Sequence, residues 1–139
     1  MISGYLNICE RLEVRKIPID DVQSYRMLLN EPLVHKNSND FPYPVTTHFA
    51  IERLRAREER ESSHQDLFQR GAYLHGKLIG IGSIFMIGKD ICEISYLIAQ
   101  NYQNNGFATA LAKNLINLIQ NLRPNLTVIA RYKLKNAPS

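Results

Sequence analysis

One stretch decides most of what this chain can become: Ile91 to Asn121, ICEISYLIAQNYQNNGFATALAKNLINLIQN, where the apolar spacing changes from that of a strand to that of a helix. Ile91 to Ala99 is rich in Ile, Leu and Tyr, which suits a pleated and mostly buried strand. Gln103, Asn104, Asn105 and Gly106 interrupt that pattern. From Phe107 the apolar residues recur at Phe107, Leu111, Leu115, Leu118, Ile119 and Leu122, one stripe along a helix. The first turn of a helix presents N–H groups without intrahelical partners and partial positive charge, so the loop feeding it is a natural anion cradle. Gly106, with no Cβ, and the small Ala108 allow close approach of a ligand. The main-chain amides from Asn104 to Ala108 are therefore candidates to hold a pyrophosphate.

The chain has 139 residues, 45% hydrophobic and 22% charged, which fits a single soluble domain over residues 1–139. A net charge of +4 suits an acidic ligand such as a nucleotide and falls short of a nucleic-acid binder, so no specific nucleic-acid partner is expected. Cys9 and Cys92 provide neither metal-ligand spacing nor a disulfide framework; no metal is expected, and both read as inert free thiols. The N-terminal MISGYLNICERLEV lacks a basic segment followed by a long apolar run. The most apolar window, Leu78 to Gly88, is about half of the roughly 20 residues a spanning helix needs. A cytoplasmic protein without a membrane partner is the expectation.

In chain order, Arg11 to Ile17 alternates as a first strand, ended by Pro18. Asp20 and Asp21 stand where N-caps and first-turn acids belong, followed by Val22, Tyr25, Leu28 and Leu29 at helical spacing, predicting a helix of about three turns. Asn30 to His48 holds three of the six prolines and reads as a loop. Thr47 is placed to cap a second helix to about Ser62, with Phe49, Ile51 and Leu54 inward and Arg55–Glu59 and Arg57–Glu61 as solvated i, i+4 pairs. Leu67 to Leu74 and Lys77 to Ile87 read as a hairpin turning at His75-Gly76, with Gly80 and Gly82 allowing close packing or a bulge. After Gly88-Lys89-Asp90 comes the strand at Ile91. Arg123-Pro124-Asn125 stops the motif helix, and Leu126 to Tyr132 is a last strand.

Gln103-Asn-Asn-Gly106-Phe-Ala108 resembles the [Gln/Arg]-x-x-Gly-x-[Gly/Ala] motif of the GCN5-related N-acetyltransferases (GNAT). Glu93 to Leu97 resembles the strand entering that motif in their ribosomal-protein N-terminal acetyltransferase branch. Leu78-Ile79-Gly80 matches the hairpin, and Asn136-Ala137-Pro138-Ser139 resembles the Asn-x-x-Ser opening the family's next helix. The resemblance implies an α/β mixed sheet with the acyl-CoA N-acyltransferase fold, in the order β-α-α-β-β-β-α-β, incomplete at the C-terminus. It also leaves an exposed edge at Leu126 to Tyr132 for a partner or a second copy, a homodimer.

The resemblance further implies acetyl-CoA as donor and an amine acceptor, a protein N-terminus or a small amine. Two parallel strands would splay, and the main chain of Leu97, Ile98 and Ala99 would meet the cofactor's amide-bearing arm, with Gln103 to Ala108 on the pyrophosphate and Asn136 beside the cofactor. An N–H near Ile98 would stabilise the oxyanion. A lysine of pKa about 10.4 is almost wholly protonated at pH 7, whereas an α-amine of pKa about 8 is neutral about a tenth of the time, so a base helps with both. Glu93 is the candidate base, with Ser95 on its face; the competing reading is a carboxylate that meets solvent or a basic side chain. Ser139 is the candidate proton donor to the thiolate. Phe41, Tyr43, His35 and His48 are candidates for acceptor contact, against the plainer reading of aromatics pinning a loop. The alternative to a transferase is a catalytically weak acyl-CoA-binding or assembly module.

Overall fold

The computed structural model describes residues 12–36 and 41–130. Five strands form one mixed sheet in sequence order: β1 (Leu12–Arg15), β2 (Leu67–Leu74), β3 (Lys77–Met86), β4 (Ile91–Ile98) and β5 (Thr127–Ala130). All neighbours are antiparallel except β4 and β5, which are parallel and joined through a helix. The helices are α1 (Val22–Leu29), α2 (Pro32–Lys36), α3 (Thr47–Ser63) and α4 (Phe107–Leu122). The expected order therefore holds, with the short α2 added inside the proline-rich segment. The first strand ends at Arg15, before Lys16 and Ile17, and the last begins at Thr127, one residue after Leu126; Arg11, Arg131 and Tyr132 lie outside the described residues. The first helix has two α-turns, preceded by a 3-10 turn at Ile19–Asp21.

Two apolar layers cover the sheet. On one face Phe68, Ala72, Ile79, Ile84, Cys92, Ile94 and Ile98 pack against Phe107, Leu111, Leu115 and Ile119 of α4. These helical residues recur every four positions, so one stripe is buried and the rest stays wet. Leu122, expected on that stripe, is exposed, and the helix ends at it. On the other face Tyr73, Leu78 and Ile81 meet Tyr25, Leu28 and Leu29 of α1 and Ala50 and Leu54 of α3.

Local chemistry explains the joints. His75 and Gly76 both have positive φ (52° and 81°), the turn that matches strand twist in a two-residue hairpin. The β2–β3 register shifts after Ala72, leaving Ile79 as the additional residue of a bulge. A Cβ on Gly82 would lie 2.7 Å from Leu115 Cδ1, so its absence lets α4 sit directly on β3. Thr46, rather than Thr47, caps α3: its hydroxyl accepts from the Phe49 N–H at 3.1 Å, while the Thr47 hydroxyl accepts from the Gln23 amide of α1. Glu61 on α3 accepts both Arg70 guanidinium nitrogens, at 2.7 and 2.9 Å, and lies 3.7 Å from Lys16.

Candidate functional site

The loop between β4 and α4 has the shape its sequence suggested. Asn104 and Gly106 both adopt left-handed backbone (φ 65° and 81°), and Gly106 is the N-cap of α4 with no side-chain capping bond. The first helical bond runs from Ala110 N to Gly106 O at 3.1 Å. Among the described residues, none accepts a hydrogen bond from the main-chain N–H of Gly106, Phe107 or Ala108. Three consecutive donors at a helix N-terminus, next to a residue without Cβ, are the observation that fits a bound pyrophosphate.

The loop is tied down from below. Gln103 Nε2 donates to the Ile98 carbonyl at 3.1 Å, and Asn105 Nδ2 donates to the Gln103 carbonyl at 3.1 Å. A 3-10 turn at Gln100–Tyr102 leads into it, held by a bond from Gln100 N to Glu31 Oε1 at 2.9 Å. Tyr102 packs edge-on to Phe107, with ring centroids 6.2 Å apart. Phe107 and Ala108 are thus placed by packing, and Gln103 and Asn105 by hydrogen bonds.

The end of β4 sorts the three main-chain candidates. Ala99 N donates to the Ile79 carbonyl at 2.7 Å, and Leu97, paired with Ile81, sets its carbonyl against Gly80. Both residues spend backbone groups on β3. Alternation then turns the groups of Tyr96 and Ile98 the other way, toward the β5 side. The described ladder between β4 and β5 runs from Ile91–Thr127 to Ile94–Ala130, below these residues. Of the three candidates, Ile98 is the one whose N–H points away from β3, toward the β5 side, while Leu97 and Ala99 commit backbone groups to β3.

Glu93 and Ser95 point from β4 to the face that carries α1 and α3, opposite the buried Cys92 and Ile94. In register with them on β3 stand Phe85 and Ser83. Arg57 of α3 reaches this patch: its Nη1 donates to Ser83 Oγ at 3.3 Å and its guanidinium carbon lies 5.9 Å from the Phe85 ring centre. Arg57, read from sequence only as a solvated partner of Glu61, joins the Glu93–Ser95 candidates through Ser83 and Phe85 and is a further candidate that the sequence reading missed. Arg53, Arg57 and Arg60 on one helical side were the signal that could have found it.

The candidate acceptor residues separate. Phe41 is buried in the second core, 5.0 Å beneath Arg53 and 6.1 Å from Phe49. Tyr43 is 51% exposed, and His48 is exposed on α3, 3.3 Å from Glu52. His35 falls within α2. The segment of Phe41 and Tyr43 is held at Val45 by Asn30, whose side-chain amide exchanges two hydrogen bonds with the Val45 main chain, at 3.0 and 2.7 Å. Asn136 and Ser139 lie outside the described residues. Among the described residues no cluster of His, Cys, Asp or Glu could hold a metal, and no helix is long and apolar enough to cross a membrane.

A family model described as an acetyltransferase (GNAT) domain matches residues 11–139. No curated protein matches the chain by sequence. Solved structures share its fold: microcin C7 self-immunity acetyltransferase MccE in complex with acetyl-CoA and AMP, at 12% identity and TM-score 0.79, over 93% of this chain and 73% of that one. RimL, a ribosomal L7/L12 alpha-N-protein acetyltransferase in complex with coenzyme A, is similar at 15% identity and TM-score 0.79, over 94% and 76%. Mycobacterium smegmatis RimJ in complex with CoA-disulfide is similar at 17% identity and TM-score 0.76, over 91% and 65%.

Proposed function

The chain belongs to the acetyltransferase (GNAT) domain family, and we propose that it is an acetyl-CoA-dependent N-acetyltransferase whose acceptor is a primary amine, a protein N-terminus or a small amine. The observation that carries this reading is the row of N–H donors at Gly106, Phe107 and Ala108, tied through Gln103 to Ile98, the last residue of β4, whose main chain turns away from β3.

Acetyl-CoA supplies an activated acyl group as a thioester. The donors at Gly106 to Ala108 hold the diphosphate, because their partial charges converge at the start of a helix of sixteen residues. Ile98 N–H is placed to stabilise negative charge on the acyl oxygen. Glu93 takes the proton that the amine must lose, through water or directly, and Ser95 on the same face helps to hold the amine. Phe41 shapes the acceptor side from within, and Tyr43 lies on its rim. Asn136 and Ser139 keep the roles their motif implies, a contact to the coenzyme and a proton for the departing thiolate.

Release of free thiol from acetyl-CoA, measured with a panel of N-terminal peptides and small amines, tests the proposal. Turnover with at least one amine is expected, with a loss of about 100-fold in kcat/KM for Glu93→Gln. Coenzyme binding with no thiol release from any amine would replace the transferase by an acyl-CoA-binding module. Absence of coenzyme binding would remove both.

A further inference from the structure

Along the outer side of α3 runs an open groove of about 350 Å³, lined by Phe49, Glu52, Arg53, Ala56, Arg57, Arg60 and Leu67. It reaches the acceptor patch, because Arg57 both lines it and touches Ser83 and Phe85, the register partners of Ser95 and Glu93. From Phe49 to Arg60 the helix rises about 16 Å, the length of four to five extended residues. That exceeds a single small amine.

The groove carries three arginines against one glutamate. Charges at its ends are matched locally: Arg60 binds Asp66 at 2.8 Å, and Glu52 lies 3.3 Å from His48. Arg53, in the middle, is held differently. Its Nε donates to the Tyr25 hydroxyl at 3.1 Å, and that hydroxyl, fully buried, donates to Gln69 Oε1 at 3.0 Å. The guanidinium also lies 5.0 Å from the Phe41 ring centre. Among the described residues no carboxylate pairs with Arg53. Its inner nitrogen is fixed by a buried relay and its planar fork is left for a carboxylate, the arrangement in which arginine binds anions in two-point fashion at low entropic cost.

We propose that this groove selects a peptide acceptor with an acidic residue shortly after its N-terminus, Arg53 receiving the carboxylate while the terminal amine reaches Glu93 and Ser95. The inference rests on the transferase reading. Arg53 stands one helical turn from Arg57, so the carboxylate belongs to one of the first few residues of the acceptor.

The experiment compares peptides of one length with Asp or Glu, Ala, or Lys at positions two to four, together with free glutamate, by thiol release. Binding of the same peptides, labelled at the C-terminus, is followed by fluorescence anisotropy with coenzyme A present. Acidic peptides are expected to have KM about tenfold below the alanine peptides, the scale of one charge-assisted carboxylate–arginine contact. Arg53→Gln should bring the KM of acidic and alanine peptides to within about twofold of each other. Arg53→Glu should turn the preference toward lysine peptides, a reversal that loss of packing around Tyr25 would not produce. Equal KM for acidic and neutral peptides in the native protein, or free glutamate preferred over every peptide, overturns the inference and leaves the transferase standing. No thiol release with any amine overturns the transferase reading itself.

Discussion

Gln103 donates its side-chain amide to the main-chain carbonyl of Ile98 at 3.1 Å, joining the first residue of the motif loop to the last residue of the strand before it. The bond fixes the distance between the unpartnered amides of Gly106 to Ala108 and the N–H of Ile98, the groups proposed to meet the diphosphate and the acyl oxygen. A glutamine suits the place because its amide spans the gap as a donor without adding charge beside an anion.

Gln103→Ala is expected to leave the fold intact and weaken coenzyme A binding about fivefold to tenfold, the value of one partly buried hydrogen bond. Calorimetric titration checks the affinity and thermal melting the fold. Unchanged affinity would show that the loop holds its shape without this tie.

Gly106 has φ 81°, a conformation that costs a side-chain-bearing residue about 1–2 kcal/mol. Gly106→Val should therefore lower stability by about that amount, and coenzyme affinity by more than Gln103→Ala does, because the β-branched side chain also stands over the amides. Melting and coenzyme titration of the two variants, side by side, separate strain from obstruction.

Gly82 lies under α4, where a Cβ would meet Leu115 at 2.7 and 3.1 Å and Leu111 at 3.2 Å. These atoms belong to fully buried side chains with little room to move. Gly82→Val is expected to destabilise by about 1–3 kcal/mol through overpacking, read by urea denaturation. Gly76→Asn, at an open turn with nothing near its Cβ, should cost far less.

Glu61 and Arg70 form a two-point ion pair with side chains only 15% and 13% exposed. Burial by itself would raise the Glu61 pKa, but the hydrogen bonds and charge of Arg70, with Lys16, outweigh it and hold the pKa below its ordinary value. The folded pKa being lowered, the pair's contribution is complete above the unfolded glutamate value of about 4.3 and is lost as pH falls through the folded one. Thermal melting from pH 6 to pH 3 should show a steeper fall for the native protein than for Glu61→Gln. At pH 7 Glu61→Gln should be less stable by about 1–2 kcal/mol, since Arg70 keeps a hydrogen-bond acceptor but loses its charged partner in a part-buried place.

Much of the fold was readable in order of residues because it depends on local periodicity. The change from strand to helix spacing at Gln103–Gly106, the hairpin at His75-Gly76 and the stop at Arg123-Pro124 are each set by neighbours within a few positions. Helix ends were less legible: Thr46 and Thr47 have the same chemistry, and only the chain's path past Gln23 decides which one caps.

What the sequence determined by itself was the motif loop and its neighbours, for a helix N-terminus with glycine before it exposes its amides whatever else the chain does. The tertiary structure decided the rest of the site. Pairing with β3 consumed the Ala99 amide and left Ile98 outward, and packing of α3 across the sheet brought Arg57 to Ser83, beside Ser95 and Glu93, and Arg53 to the buried Tyr25. Those outcomes depend on contacts between residues tens of positions apart, and no local spacing encodes which partner a backbone amide or an arginine will find.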